Sequence, residues 1–321
     1  MYKIRQPSSP VVNVVAGQVA THELVRGPRY HDVTYNVTVT KTGATAGNAF
    51  VPTLADALDN IVVLVNDSER RVHLATELDA IQTRWQASLA VAANHQIGND
   101  LMTAVPDVVV GGNTTRTTTF VLTVNFAEPS RILNADREKF AWPTAWASGR
   151  TAKIQIKLKV PVVAGVVNPV ITAQESIDFV LGPVVNGKDS LPMTAWVRQP
   201  EIYAGLNPAI RKWSFTGLIQ QMTIFCQPND DVLKAVIKNG NAIIFDETKI
   251  GFDLLCDRHN WNAAGKNADR CDIAADYTDN PGDVLQVQDG VLFELKLQLS
   301  AAAAANKTLV ILSQVYLDAL A

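Results

Sequence analysis

The strongest constraint on this chain is that part of it occurs twice. Val170–Asp178 reads VITAQESID and Val310–Asp318 reads VILSQVYLD. Val170/Val310, Ile171/Ile311, Gln174/Gln314 and Asp178/Asp318 are identical, and Ala173/Ser313 and Ile177/Leu317 are close replacements. A strand-like segment of one design precedes each copy, IQIKLK at Ile154–Lys159 and FELKLQ at Phe293–Gln298. A small-residue loop ending in Asn168 or Asn306 joins the two segments in both places. A repeat kept in fixed order implies two copies of one folding unit.

Size agrees with that reading. The chain has 321 residues, which corresponds to roughly two domains, each long enough for its own core. Hydrophobic residues make up 47% and charged residues 18%, against about 25% charged in an ordinary domain. Sparse surface charge points to surfaces covered by partner subunits, because the centres of buried interfaces are depleted in charge. A generic apolar protein has the same composition. The net charge of −3 gives no global field toward nucleic acid. No apolar run reaches the length of about 18 residues that a membrane-spanning helix needs. The start, MYKIRQPSSP, lacks the apolar segment of a secretory signal. Three cysteines, Cys226, Cys256 and Cys271, form no disulfide framework and fit synthesis in a reducing compartment.

Strand signals dominate. Val33–Val39 (VTYNVTV) and Phe120–Phe126 (FVLTVNF) alternate apolar and polar residues, the latter after the Thr-rich Thr114–Thr119. Ile61–Val65 (IVVLV) is a continuous apolar run closed by an Asn66-Asp67 turn, from which Arg70–Leu74 returns. Later, Leu218–Cys226 and Val232–Ile237 lead to an Asn239-Gly240 turn and a return at Ala242–Phe245. Helices are few: Thr76–Ala92, with Leu78, Ile81, Trp85 and Leu89 at helical spacing, and a shorter counterpart at Thr248–Leu254. Matching the two turns and the two repeats leaves about 33 extra residues in the first copy, within Ala93–Ser148.

Units of this size, with long excursions between strands, favour Greek-key sandwiches of the jelly-roll type. The expected fold is all-β: two tandem jelly-roll β-sandwiches, a double jelly roll with a few short helices. The expected divisions are an N-terminal arm (1–25), a first jelly roll (26–182), a Pro-rich linker (183–208) and a second jelly roll (209–321).

The segments YHDVTYNVTVT, NIVVLVND and the helix opened by TEL resemble the first jelly roll of double jelly-roll major capsid proteins. RKWSFTG, LIQQMTIFC, the KNG turn and the closing FELKLQ…VILSQVYLD resemble the second. The resemblance covers roughly Arg26 to Asp318 and is to coat proteins of tailless icosahedral bacteriophages with an internal membrane, of the corticovirus kind. Tectivirus coat proteins and adenovirus hexon are more distant. It implies a structural role with no chemical step. Two side-by-side jelly rolls per chain would build a homotrimer of near-hexagonal outline. Its partners would be neighbouring capsomers, penton and minor capsid proteins and the internal viral membrane, with no specific nucleic acid. It also implies a location in the virion after synthesis in the host cytoplasm.

Particular residues carry sharper expectations, each beside a plainer one. Lys3 and Arg5, on the N-terminal arm, would face the membrane in this family. Two cations give only about 2 kcal/mol per chain at an anionic surface, enough only through many copies, and an ordinary frayed terminus reads the same. Asp269, Asp272, Asp276 and Asp279 offer oxygen ligands for a structural Ca²⁺; a solvated acidic loop has the same spacing. Cys256, His259 and Cys271 suggest zinc but lack a fourth ligand, so buried thiols are the default. Trp142, Trp146, Trp196, Trp213 and Trp261 are interface anchors, a carbohydrate platform or core. No nucleophile elbow, zinc-protease motif or phosphate loop occurs. No other cofactor and no catalytic residue is expected. Two rival functions remain: a secreted two-domain jelly-roll glycan hydrolase or amidase, which needs an acidic cleft, and a minor vertex or spike protein of a virion.

Overall fold

Period-two burial is plain in several strands. In Ala152–Leu158, Ala152, Ile154, Ile156 and Leu158 are buried while Lys153, Gln155 and Lys157 point outward. Each fully buried aliphatic of this kind contributes about 1.5–3 kcal/mol relative to exposure. The computed structural model describes residues 4–43, 57–74, 103–110, 113–126, 141–144, 151–160, 169–178, 193–226, 232–251, 254, 270–274, 285–287, 290–300 and 307–317. The chain divides into two compact units, with the boundary at Leu191/Pro192.

Unit 1 contains β1 (Ile4–Pro7), β2 (Val19–Leu24), β3 (Arg29–Gly43), β4 (Leu58–Val65), β5 (Ser68–Leu74), β6 (Thr103–Val110), β7 (Asn113–Asn125), β8 (Trp142–Pro143), β9 (Ala152–Leu158) and β10 (Val170–Asp178). One antiparallel sheet runs β1-β10-β3-β7-β6, with β8 also on β3; the other runs β5-β4-β9-β2. Tyr30, Val33, Tyr35, Val37, Val39, Leu122, Val124, Ile154 and Ile156 fill the interior. Outside, Thr34/Thr123, Thr38/Thr119, Thr40/Thr117 and Thr42/Thr115 form hydroxyl pairs across β3 and β7, at 2.9–3.2 Å.

Unit 2 contains β11 (Met193–Tyr203), β12 (Ala209–Ile210), β13 (Gly217–Phe225), β14 (Val232–Asn239), β15 (Ala242–Thr248), β16 (Arg270–Ala274), β17 (Leu285–Val287), β18 (Phe293–Leu299) and β19 (Lys307–Leu317). Its sheets run β11-β19-β13-β16, with β17 also on β13, and β15-β14-β18-β12. A single hydrophobic cluster draws Ile219, Met222 and Ile224 from one sheet and Ala235, Ile237, Leu295 and Leu297 from the other.

The two lists superpose in chain order. If β6, β8 and β17 are set aside, the eight remaining strands of each unit form sheets ordered 1-8-3-6 and 5-4-7-2. That is an eight-stranded jelly roll, present twice with one connectivity. The repeated segments are its last two strands, β9/β18 and β10/β19. The extra strand β6 lies inside the stretch expected to hold the insertion and extends the sheet beyond β7.

Several expectations change. Residues 4–7 and 19–24 are strands of unit 1, paired with β10 and β9, so 1–25 is not a free arm. Met193–Tyr203, read as linker because of its prolines, is the first strand of unit 2 and pairs with β19 along its whole length. Pro200 is accommodated opposite Val310; a strand position whose N–H faces away from the ladder tolerates proline. The first hairpin turn is Asn66-Asp67 as expected, with φ of 50° and 61°. These are the left-handed values of a two-residue turn matched to strand twist. The second turn is shifted by one residue: Asn239 pairs with Ala242, and Gly240-Asn241 form the loop, with Gly240 at φ 59°. The expected helix at 76–92 lies outside the described residues. Residues 249–251 are helical, within the segment expected to hold its counterpart.

Candidate functional site

The interior of unit 1 carries two clusters of ionisable residues. Both are built on β10, the strand between β1 and β3. In the first, Glu175 is buried. His22 Nε2–H, from β2 in the opposite sheet, donates to its Oε1 at 3.2 Å. In the neutral ring this leaves His22 Nδ1 to accept the Tyr35 phenol of β3 at 2.8 Å. Gln6 of β1 donates to Glu175 Oε2 at 3.4 Å. Strands β1, β2 and β10, from both sheets, thus meet at one carboxylate, and β3 joins them through the Tyr35–His22 bond. Burial, followed by the Glu175 charge, raises the Tyr35 pKa well above the usual 10 and raises Tyr30 likewise. Both phenols therefore keep their protons and remain donors. The Tyr30 hydroxyl accepts from Val25 N–H at 2.8 Å.

In the second cluster Arg29 grips Asp178 bidentately, Nε to Oδ1 at 2.9 Å and Nη2 to Oδ2 at 2.6 Å. His31 Nε2 adds a third contact, to Oδ2, at 2.8 Å. Burial pushes the Asp178 carboxyl upward, but the hydrogen bonds and charges of Arg29 and His31 outweigh it and hold its pKa below 3.8. Fork-to-fork pairing is the strong geometry for such a contact.

A buried His–Glu–Tyr set has the components of an acid–base site, but catalysis needs access. His22 and Tyr35 are 0% exposed and Glu175 1%, so no substrate reaches them in this conformation. The set works as an internal crosslink between sheets. Unit 2 has its own polar anchor nearer the surface. Arg211 Nε binds Glu294 Oε1 at 2.5 Å and Lys296 binds Oε2 at 3.2 Å. Chiefly through the Arg211 hydrogen bond, Glu294 titrates below 4.5.

The residues singled out from the sequence are scattered. Arg5 sits on β1, where its Nε donates to Gln174 Oε1 at 3.1 Å; Lys3 lies outside the described residues. Asp272 is on β16 opposite Thr223, while Asp269, Asp276 and Asp279 lie outside the described residues. Cys271 shares β16, Cys226 is a buried thiol, and Cys256 and His259 are outside the described residues. Among the described residues no three His, Cys, Asp or Glu side chains gather as a metal site. Trp142 and Trp196 are buried, Trp213 packs half-buried against the core of unit 2, and Trp146 and Trp261 fall outside the described residues. Sequence reasoning missed the clusters because His22, His31, Glu175 and Asp178 are far apart in the chain. One signal was available: polar residues on the inward phase of otherwise apolar strands.

No family model and no curated protein matches this chain. Solved structures do. The STIV MCP, from Sulfolobus Turreted Icosahedral Virus, superposes with a TM-score of 0.70 at 11% identity, covering 99% of this chain and 98% of that one. The major capsid protein P2 of Bacteriophage PM2 gives 0.65 at 12% identity, with 98% of each chain covered. The PBCV-1 virus capsid structure gives 0.57 at 11%, covering 98% of this chain and 93% of that one. Together with the doubled strand order, these superpositions establish that the chain has the double jelly-roll fold shared with these viral capsid proteins.

Proposed function

We propose that this chain is the major coat subunit of an icosahedral virion that encloses a membrane. Three copies form a pseudo-hexagonal capsomer. The observation that carries this reading is the identical 1-8-3-6 and 5-4-7-2 order of both units, within a fold matched end to end by capsid proteins. Three chains of two like units present six like lobes, and closed threefold symmetry fixes their number. An obligate interface of this kind buries about 2,000–5,000 Å². Low charge content, 18%, suits surfaces that end up covered. The capsomer meets its neighbours, vertex and minor coat proteins, and the membrane; the site of action is the virion, after synthesis in the host cytoplasm. Light scattering on the purified full chain tests the reading. A particle of three times the 34.8 kDa chain mass is expected, and a monomer at all concentrations would overturn it.

A further inference from the structure

One end of unit 2 carries a surface whose composition neither the hydrophobic core nor the strand ladders explain. The β14–β15 turn, the β12–β13 connection and the start of β18 converge there. Gly240 N–H donates to Leu292 O at 2.8 Å. Trp213 Nε1–H donates to Phe293 O at 2.8 Å, and the two rings meet edge-on at 5.2 Å. Around this junction Ile243, Ile244, Val291 and Leu292 are exposed, Ile243 by 58% and Leu292 by 50%. Trp213 and Phe215 lie half-buried behind them. Cations accompany the apolar residues: Arg211 and Lys212 are exposed, Lys238 stands opposite Glu294 in the ladder, and Lys296 is two residues beyond Glu294 on β18. Glu294 is the carboxylate that Arg211 and Lys296 share. Among the described residues the local balance is therefore positive, in a chain of net charge −3.

The matching turn of unit 1 is built differently. Asn66 and Asp67 are polar, Lys153 Nζ binds Asp67 Oδ1 at 2.5 Å, and Asn66 Oδ1 accepts from Thr151 N–H at 3.0 Å. One topological position is closed by polar pairs and the other is left apolar and accompanied by cations.

We infer that this end of unit 2 docks on the surface of an anionic lipid bilayer. The aliphatic residues and the Trp213/Phe215 pair enter the headgroup region, and Arg211, Lys212, Lys238 and Lys296 meet lipid phosphates. Aliphatic tips, an interfacial tryptophan and flanking cations are the combination that such surfaces bind. The same end of a second copy is a poorer occupant, because a twofold self-contact would set these cations against each other. Among the described residues no helix is long and apolar enough to cross a membrane; the inferred contact is a peripheral one. The inference rests on the coat-protein reading only for its biological setting, and it names the surface that the enclosed membrane would meet.

The test is co-sedimentation of the full chain with vesicles of phosphatidylcholine alone and of phosphatidylcholine with phosphatidylglycerol. Binding to the mixed vesicles, weakening as salt rises, is expected. Each cation near an anionic surface is worth roughly five-fold in partitioning, so the Lys212→Gln/Lys238→Gln variant binds roughly 30-fold more weakly. Ile243→Ser/Leu292→Ser also loses binding. Both variants keep the wild-type assembly mass. If the wild type ignores both vesicles, or the lysine variant binds unchanged, the inference falls while the mass leaves the coat reading intact. If instead Ile243→Ser/Leu292→Ser abolishes self-association and vesicles are not bound, the patch belongs to a second copy. A wild-type monomer that still binds lipid would sink the coat reading alone.

Discussion

Unit 1 sets His22, Tyr35 and Glu175 where its two sheets face each other, whereas unit 2 has hydrocarbon residues at the positions of Tyr35 and Glu175. The registers make the match explicit. Tyr35 pairs with Ala173 on β10, and Met222 pairs with Ser313 on β19. Ala173 and Ser313 are matched by the repeat, so Met222 stands where Tyr35 does. The same alignment puts Val315 at the position of Glu175. The hydrophobic cluster that holds Met222 includes Tyr203 and the Cys226 thiol. Different residues at equivalent interior positions are thus compatible with one connectivity. Strand phase and turn placement specify this fold, and the interior need only be filled and satisfied.

Breaking the polar interior of unit 1 has the largest expected effect. Glu175→Ala leaves His22 and Tyr35 without their buried partner and costs about 3–5 kcal/mol. Hydrogen exchange should show the loss in β1, β2, β3 and β10 and leave unit 2 protected. Replacing the whole set by hydrocarbon, His22→Leu with Tyr35→Phe and Glu175→Val, should instead be neutral or stabilising. A large loss in that triple variant would mean that unit 1 needs its polar core. The counterpart in unit 2, Met222→Ala, opens a cavity and costs about 2–5 kcal/mol, visible as exchange confined to unit 2.

Acid separates the units more gently. The Asp178 pKa is lowered by folding, so its contribution is complete above its unfolded pKa near 3.8 and is lost as pH falls below that value. Asp178→Asn should therefore destabilise unit 1 near neutrality, and its difference from wild type should shrink below pH 3.8. Glu294→Gln should behave the same way in unit 2, with the difference fading below pH 4.5. A difference that grows on acidification would contradict both assignments. Smallest of all is the hydroxyl ladder: Thr38→Val or Thr40→Val should cost about 0.2–1 kcal/mol each in denaturant unfolding.

Much of this fold was legible because it is written in local pattern. The repeat at Val170 and Val310, the alternation in β3 and β9 and the Asn66-Asp67 turn identified equivalent strands before any coordinates. The failures have physical causes. Pro192, Pro200 and Pro208 signalled a linker, yet Pro200 sits in a strand; proline forbids only a ladder position that must donate. The segment before Arg26 looked like an arm because its strands are short, β1 having four residues. What holds them is pairing with β10 and β9 and side-chain contacts from distant parts of the chain, Gln6 to Glu175 and His22 to Glu175. Those contacts, and the basic apolar end of unit 2, arise only when separated segments are folded together.

The coat-protein role requires two like units per chain closing into a threefold particle. Electron microscopy of the purified chain at high concentration tests this most directly. That role predicts threefold particles with six lobes of similar size. Single two-lobed particles, or rings whose lobes are not a multiple of six, would contradict it.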